Sequence, residues 1–502
     1  MLLKIALVVV FFATMVAVGI ICRRRATDVN GFVLGGRNIG PWLTAFAYGT
    51  SYFSAVIFIG YSGQFGWKFG LASTWIGIGN AIIGSLLPWI ILGRRTRLMT
   101  QHFDSNTMPD FFGKRFNSNG LKILAAIIVF IFLIPYTASL YNGLSRLFSM
   151  AFNIDYTICI IAMAILTCIY VVAGGYMATA VNDFIQGLIM LVGIVAVVFA
   201  VLNQPQAGGF MNAVESLSQI SADNIPQGSL TTLLGPDAFN LICVIILTSL
   251  GTWGLPQMAH KFYAIKDDKA IIKGTVISTL FALIVAGGCY FIGGFGRLFV
   301  AAGEGGNPIG GFDNVVPSML SGIGDLLLAV VVILVLSASM STLSSLVLTS
   351  SSTLTLDLIK GNMVKNMNEK KQLSIMRILV LVFVAVSAII AVIQAKGGIT
   401  FIAQLMGISW GALAGSFLAP YMLGLYSRKI TKASVYVNFI FASAVMILNI
   451  LAKSIFPAWL QSPINCGAFV MIAGFVIVPI VSLFTKKPDA DLVNDAFSCV
   501  SK

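Results

Sequence analysis

Charge is what this 502-residue chain has least of: 10% of its residues are Asp, Glu, Lys or Arg, while 58% are hydrophobic. Acidic residues are scarcer than basic ones, 18 against 31, and histidine occurs only twice. The carboxylates are expected in loops or near the ends of apolar runs, and His260 at a boundary. That placement argues against the intramembrane acid or histidine relay of proton-coupled transport, and against the polar cluster of a membrane-embedded enzyme. The seven cysteines (Cys22, Cys159, Cys168, Cys243, Cys289, Cys466, Cys499) include no C-x-x-C pair and no grouping with His102 or His260. Neither a disulfide framework nor a metal centre built from Cys and His is therefore expected.

What fills the chain is apolar sequence in runs of about 20 residues, the length that crosses a bilayer core. About thirteen such runs lie near 2–22, 40–66, 70–93, 119–148, 154–174, 180–201, 238–260, 271–298, 322–352, 373–394, 398–425, 430–452 and 464–485. The expectation is an all-α polytopic membrane protein with the bilayer as its partner. Of the 31 Lys and Arg, 25 fall in one set of alternate loops, from Arg23–Arg25 to Lys502, with Lys261 and Lys365 among them. The other six are Lys4, Lys68, Arg146, Arg297, Lys396 and Lys453. Basic loops stay in the cytoplasm, so the N-terminus is expected outside and the C-terminus inside. The net charge of +13 is then topogenic, facing cytosol and anionic headgroups, and no nucleic-acid partner is inferred. In residues 2–22 the arginines follow the apolar run instead of preceding it, which reads as an uncleaved first helix.

Two runs carry interruptions that suit an unwound helix. Gly49, Thr50, Ser51 and Ser54 gather mid-run in A-F-A-Y-G-T-S-Y-F-S (Ala45 to Ser54), and Gly251, Gly254 and Pro256 fall within two turns of L-T-S-L-G-T-W-G-L-P-Q (Leu247 to Gln257). Proline removes one backbone hydrogen bond, and small hydroxyl residues can re-satisfy the groups that are freed. Glycine clusters also permit close helix packing, the other reading of each taken singly. The interruptions open two blocks of five runs, 40–201 and 238–425, whose odd number makes their topologies opposite, as in an inverted repeat. Around them lie an extra helix and cytoplasmic loop (1–39), an extracellular loop (202–237), and two helices with a cytoplasmic tail (426–502).

The densest polar feature is L-V-L-S-A-S-M-S-T-L-S-S, Leu334 to Ser345, six hydroxyl residues in twelve positions. Ala338, Ser341 and Thr342 stand three and four apart and so share a helical face; Ser344 and Ser345 offer a second hydroxyl pair one turn on. Single hydroxyls commonly bond back to their own helix or glue neighbouring helices. A run of six opposite a broken helix instead suits a hard cation that prefers oxygen, and sodium is the expected coupling ion. Asp183, in V-N-D-F-I-Q, is placed either to help an ion leave toward the cytosol or complete a second ion site, or to serve as a helix N-terminal carboxylate.

From pocket chemistry a small organic solute is expected to meet Tyr52, Ser54, Tyr136, Ser139, Thr252, Trp253, Gln404 and Trp410. Aromatic groups would flank it and hydroxyls and amides orient it. No buried cation is expected, so an anionic solute would depend on a half-helix N-terminus or on the sodium.

Several stretches resemble the sodium/solute symporter family. They are F-V-L-G-G-R-N-I-G (Phe32 to Gly40), G-R-R-T-R (Gly93 to Arg97), T-M-P-D-F-F (Thr107 to Phe112), G-G-Y-M-A-T-A-V-N-D-F-I-Q (Gly174 to Gln186), M-S-T-L-S-S (Met340 to Ser345) and T-L-D-L-I-K (Thr355 to Lys360). The resemblance implies a LeuT-type core of two inverted five-helix repeats and alternating access driven by sodium. It implies a principal sodium site from the carbonyls of Thr50, Phe53 and Ala338 and the hydroxyls of Ser341 and Thr342. By likeness to some sialic acid carriers, it also implies a second sodium held by Asp183, Ser344 and Ser345. For the solute the resemblance is divided. Where proline carriers typically have an aspartate and a tryptophan, this chain has Tyr52 and Val56; where sialic acid carriers have a deep arginine, it has none. Y-F-S-A-V-I-F-I-G (Tyr52 to Gly60), G-L-P-Q (Gly254 to Gln257) and I-K-D-D-K-A (Ile265 to Ala270) are most similar to pantothenate carriers.

The expectation is therefore a sodium-coupled symporter, not an enzyme, that imports a monocarboxylate such as pantothenate or an amino acid such as proline. It is expected to act as a monomer in a bacterial plasma membrane. The alternatives are a sialic acid or sugar symporter and, in another class, a solute sensor without net transport.

Overall fold

The computed structural model describes residues 2–222, 225–360, 362–364, 366–397 and 402–500. Lys365 and Lys502, and the start of the run expected at 398, lie outside the described residues. Ten helices among these are long and apolar enough to cross a membrane. An eleventh span is bent by 44° between Ala238–Gly254 and Pro256–Ala264. Among the described residues there is no β-strand, only isolated bridges such as Ile39 with Ile265. Helices satisfy their own backbone groups, which hydrocarbon demands of anything that spans it.

Junctions between expected runs are tighter than the sequence suggests. The stretch Tyr156–Leu202 is two helices joined by a kink at Gly175 (φ 55°, ψ −151°), at the junction between the expected runs 154–174 and 180–201. Only glycine adopts that conformation readily, and a Cβ there would meet the Phe32 backbone oxygen at 2.8 Å. Along the same segment Ile158, Ile161, Ile165 and Ile169 are exposed at helical spacing, an apolar stripe directed outward.

The first broken helix runs Pro41–Tyr52, opens at Phe53 and Ser54, and resumes through a widened turn at Val56–Tyr61 into Ser62–Phe69. The second opens at Leu255 (φ −79°, ψ 124°), directly before Pro256. Both readings of the glycine clusters hold at once. The helices do break, and a Cβ on Gly49 or Gly254 would lie 2.4 Å from the Phe281 ring or 2.7 Å from the Leu418 backbone nitrogen. The hydroxyl-rich helix, Asp325–Thr353, packs against Tyr156–Leu202, Asn119–Phe152 and the first half of the first broken helix, and from Leu334 onward it is wholly buried.

At the end of the bundle that carries most basic loops, the family-like stretches bind one another. Thr107 donates to Asp357 (2.6 Å), and Lys122 bridges Asp357 (3.4 Å) and Asp110 (2.8 Å). Arg94 and Arg97 pair with Asp268 at 3.0 and 2.6 Å. Arg95 donates to the Leu425 carbonyl and stacks on Tyr426. Arg115 is fully buried and donates to the Gly424 and Ser427 carbonyls; burial pushes its pKa down to about 10, so it stays charged at neutral pH. Part of the basic excess thus clamps this end together, beyond any role toward lipid.

Two expectations about charge are corrected here. Asp183 and Asp357 are fully buried, so a place near a span end does not put them in water, and Lys261, expected in a loop, is 3% exposed in the segment after the second break. Proline at the first turn restarts the helix and carries Lys261 back into the bundle one turn beyond Gln257.

Candidate functional site

The break in the first helix exposes the carbonyl of Thr50, whose usual acceptor role in the helical ladder lapses where Phe53 and Ser54 leave helical geometry. The hydroxyl-rich helix supplies what meets it. Ser341 Oγ donates to Thr50 O at 2.9 Å and stands 3.1 Å from Ala338 O. Thr342 Oγ1 reaches the same two carbonyls, each at 3.1 Å. Two hydroxyls and two carbonyls from helices almost three hundred residues apart in sequence therefore converge, all fully or almost fully buried. Phe53 sits in extended backbone (φ −95°, ψ 110°) between the helix halves, beside this cluster in a small apolar void that Ser54 and Ala338 also line. A hydroxyl that turns its proton away presents a lone pair, so this set can clasp a dehydrated monovalent cation with oxygen alone. Among the described residues no three His, Cys, Asp or Glu side chains are grouped to hold a metal.

One turn further on, Ser344 Oγ bonds back to the Ser341 carbonyl (2.9 Å), while Ser345 Oγ is shared with Ser51 Oγ at 2.7 Å. Lys261 Nζ donates to Ser345 Oγ at 3.0 Å and lies 3.9 Å from Asp183 Oδ2. Of the residues expected around a second sodium, Asp183 and Ser345 both lie against the Lys261 ammonium, while Ser344 does not turn toward it. The expectation that no cation is buried is overturned by this lysine. Composition could not reveal it, because a Lys at the inner edge of an apolar run is ordinarily a loop residue.

The solute residues divide into two groups. Tyr52, Tyr136 and Trp410 form an aromatic corner, with Trp410 5.7 Å from Tyr52 in a stacked arrangement and 5.9 Å from Tyr136 edge-on. Tyr52 spends its hydroxyl on the Thr248 carbonyl (2.7 Å), tying the two broken helices together. The Tyr136 hydroxyl and the Trp410 indole nitrogen are buried donors that make no hydrogen bond of good geometry, with Ser54 and one another as the nearest polar groups to Tyr136. The other group is committed to structure. Thr252 donates to Gly84 O and Trp253 Nε1 to Ile83 O, Ser139 bonds back to Tyr136 O, and Ser54 caps Val56 N. Gln404 is half-buried in the same helix as Trp410. Gln257, not singled out from the sequence, is 1% exposed with neither amide atom bonded. Its signal was present in the proline that precedes it, since a break places the next side chains in the bundle interior.

Comparison with known proteins gives the family and the fold. The model of the sodium:solute symporter family matches residues 32–441. A sodium/proline symporter of Staphylococcus aureus (strain JH9) is 30% identical over 511 residues, covering 97% of this chain and 94% of the relative. Among solved structures, a Na+-coupled sialic acid symporter in a substrate-bound, outward-open state superposes with a TM-score of 0.75 at 14% identity, covering 97% of this chain and 98% of that one. A manganese transporter of Eremococcus coleocola gives 0.51 at 11% identity, covering 92% and 95%. The fold is LeuT-like. The chain belongs to the sodium:solute symporter family, and is a multi-pass membrane transporter that couples a small solute to sodium, not an enzyme.

Proposed function

We propose that this symporter imports a small carboxylate-bearing solute of the proline or pantothenate kind, with sodium held by Thr50, Phe53 and Ala338 through carbonyls and by Ser341 and Thr342 through hydroxyls. The observation that carries the solute reading is one aromatic corner where two buried donors, Tyr136 Oη and Trp410 Nε1, make no hydrogen bond of good geometry and have only each other and Ser54 close by. A buried donor without an acceptor is costly, and a carboxylate or carbonyl of a bound solute relieves that cost. The aromatic faces suit a compact apolar body, and the sodium/proline symporter relatives support a solute of that size.

The cycle follows from the breaks. Outward-facing protein takes up sodium, the cation draws the two halves of the first broken helix toward the hydroxyl-rich helix, and the solute binds beside them. The repeats 40–201 and 238–425 then rock, and ion and solute leave at the basic end. That end is assigned to the cytoplasm of a bacterial plasma membrane, with the N-terminus outside and each chain working as a monomer. Each sodium moved inward across 100 mV contributes about 2.3 kcal/mol.

The test is a thermal-shift screen against proline, other amino acids, pantothenate, short monocarboxylates, sialic acids and sugars, each in sodium and in potassium. Stabilisation by proline or pantothenate in sodium only is the expected result, since a ligand of the native state raises stability by mass action. Stabilisation only by a sialic acid or sugar would overturn the carboxylate-class assignment or move it to the larger acids. A ligand that stabilises without being accumulated by vesicles would favour a sensor.

A further inference from the structure

The region where a second sodium was expected already contains a cation. Lys261 enters from the segment after the second break, donates to Ser345 Oγ at 3.0 Å and lies 3.9 Å from Asp183 Oδ2. Its Nζ also stands 5.3 Å from the centre of the Tyr176 ring, whose face attracts a positive charge. Lys261 is 3% exposed and Asp183 fully buried, so neither charge is compensated by water. Asp183 has no hydrogen-bond partner for either oxygen, which leaves the ammonium as the charge that answers it. Ser344, the remaining expected ligand, turns its hydroxyl back to the Ser341 carbonyl.

We propose that the Lys261 ammonium is a built-in replacement for the second sodium, so that this chain binds a single sodium, at the principal site. The inference rests on the sodium-site reading above. A carboxylate buried in the bundle requires one counter-charge. With Lys261 present, a sodium beside Asp183 would add an uncompensated positive charge at close range in a medium of low dielectric. The lysine also links moving parts. Ser51 on the first broken helix, Ser345 on the hydroxyl-rich helix, Lys261 on the second broken helix and Asp183 on Tyr156–Leu202 form one polar chain. A tethered ammonium supplies the charge of a coupling ion without being consumed from the gradient.

The experiment counts 22Na+ bound to purified full-length protein, with sodium alone as the probe, in wild type, Lys261→Met and Asp183→Asn. The expected counts are one ion per chain in the wild type and in Asp183→Asn, and two in Lys261→Met. Two ions in the wild type, falling to one in Asp183→Asn, would overturn the proposal and leave the principal site standing. One ion in folded Lys261→Met would also overturn it, because a proton would then be replacing the lysine. No bound sodium in any form would overturn the principal-site reading itself, and this inference with it. If Lys261→Met does not yield folded protein, the wild-type and Asp183→Asn counts still decide between one sodium and two.

Discussion

Ser341 and Thr342 are the residues on which the ion reading rests, because each reaches both Thr50 O and Ala338 O. A hydrogen-bond-type contact to a charged partner is worth about 1.5–3 kcal/mol. Ser341→Ala or Thr342→Ala is therefore expected to weaken sodium binding by roughly 10- to 100-fold, with expression and thermal stability nearly retained. Sodium titration of uptake or of 22Na+ binding measures it. Tyr136→Phe removes a hydroxyl that makes no protein hydrogen bond of good geometry, so stability should change little while solute affinity falls, by about tenfold for a loss of about 1.4 kcal/mol. Unchanged solute affinity would make Tyr136 a packing residue. The hydroxyl density was legible in the sequence, and so was the helical face shared by Ala338, Ser341 and Thr342. Lys261 was not, since local sequence places it at the edge of an apolar run and only the restart of the helix at Pro256 turns it inward.

At the scale of elements, the breaks follow directly from Gly, Ser and Pro chemistry. The break within Tyr156–Leu202 also falls at the expected junction, but its sharpness was not legible. A glycine pair within an apolar stretch reads as a loop, whereas here a single residue of positive φ, Gly175, turns one helix into the next and lets Phe32 approach closely. Gly175→Ala should therefore cost about 1–3 kcal/mol through backbone strain, with further loss from the contact with Phe32, and appear as a lowered melting temperature. Thr252 and Trp253 show what side-chain type alone leaves out. Side-chain type suggested a solute contact, but both donate to backbone carbonyls at 83 and 84. Thr252→Val is accordingly expected to lower stability by about 0.5–1.5 kcal/mol and to leave solute affinity in sodium unchanged, which paired thermal-shift and uptake titrations would separate.

Across the whole molecule, the all-α architecture was legible from run length and charge alternation, because hydrocarbon permits few spanning structures. The knitting of the basic end was not, because it joins segments far apart in sequence, Thr107 with Asp357 and Arg97 with Asp268. Alternating access requires this end to open and re-close. Asp357→Asn weakens the clasp among Thr107, Lys122 and Asp357 and should raise the population open at that end, seen as faster hydrogen exchange over 107–122. The central claim is that sodium held between the first broken helix and the hydroxyl-rich helix drives solute entry. Its most direct test is uptake of labelled proline and pantothenate into proteoliposomes under an inward sodium gradient or a matched potassium gradient, for wild type and the Ser341→Ala, Thr342→Ala double variant. Accumulation of one of these solutes by the wild type in sodium alone, and by the double variant in neither salt, is the predicted result. Equal uptake in both salts, or full sodium-driven uptake by the double variant, would contradict the account.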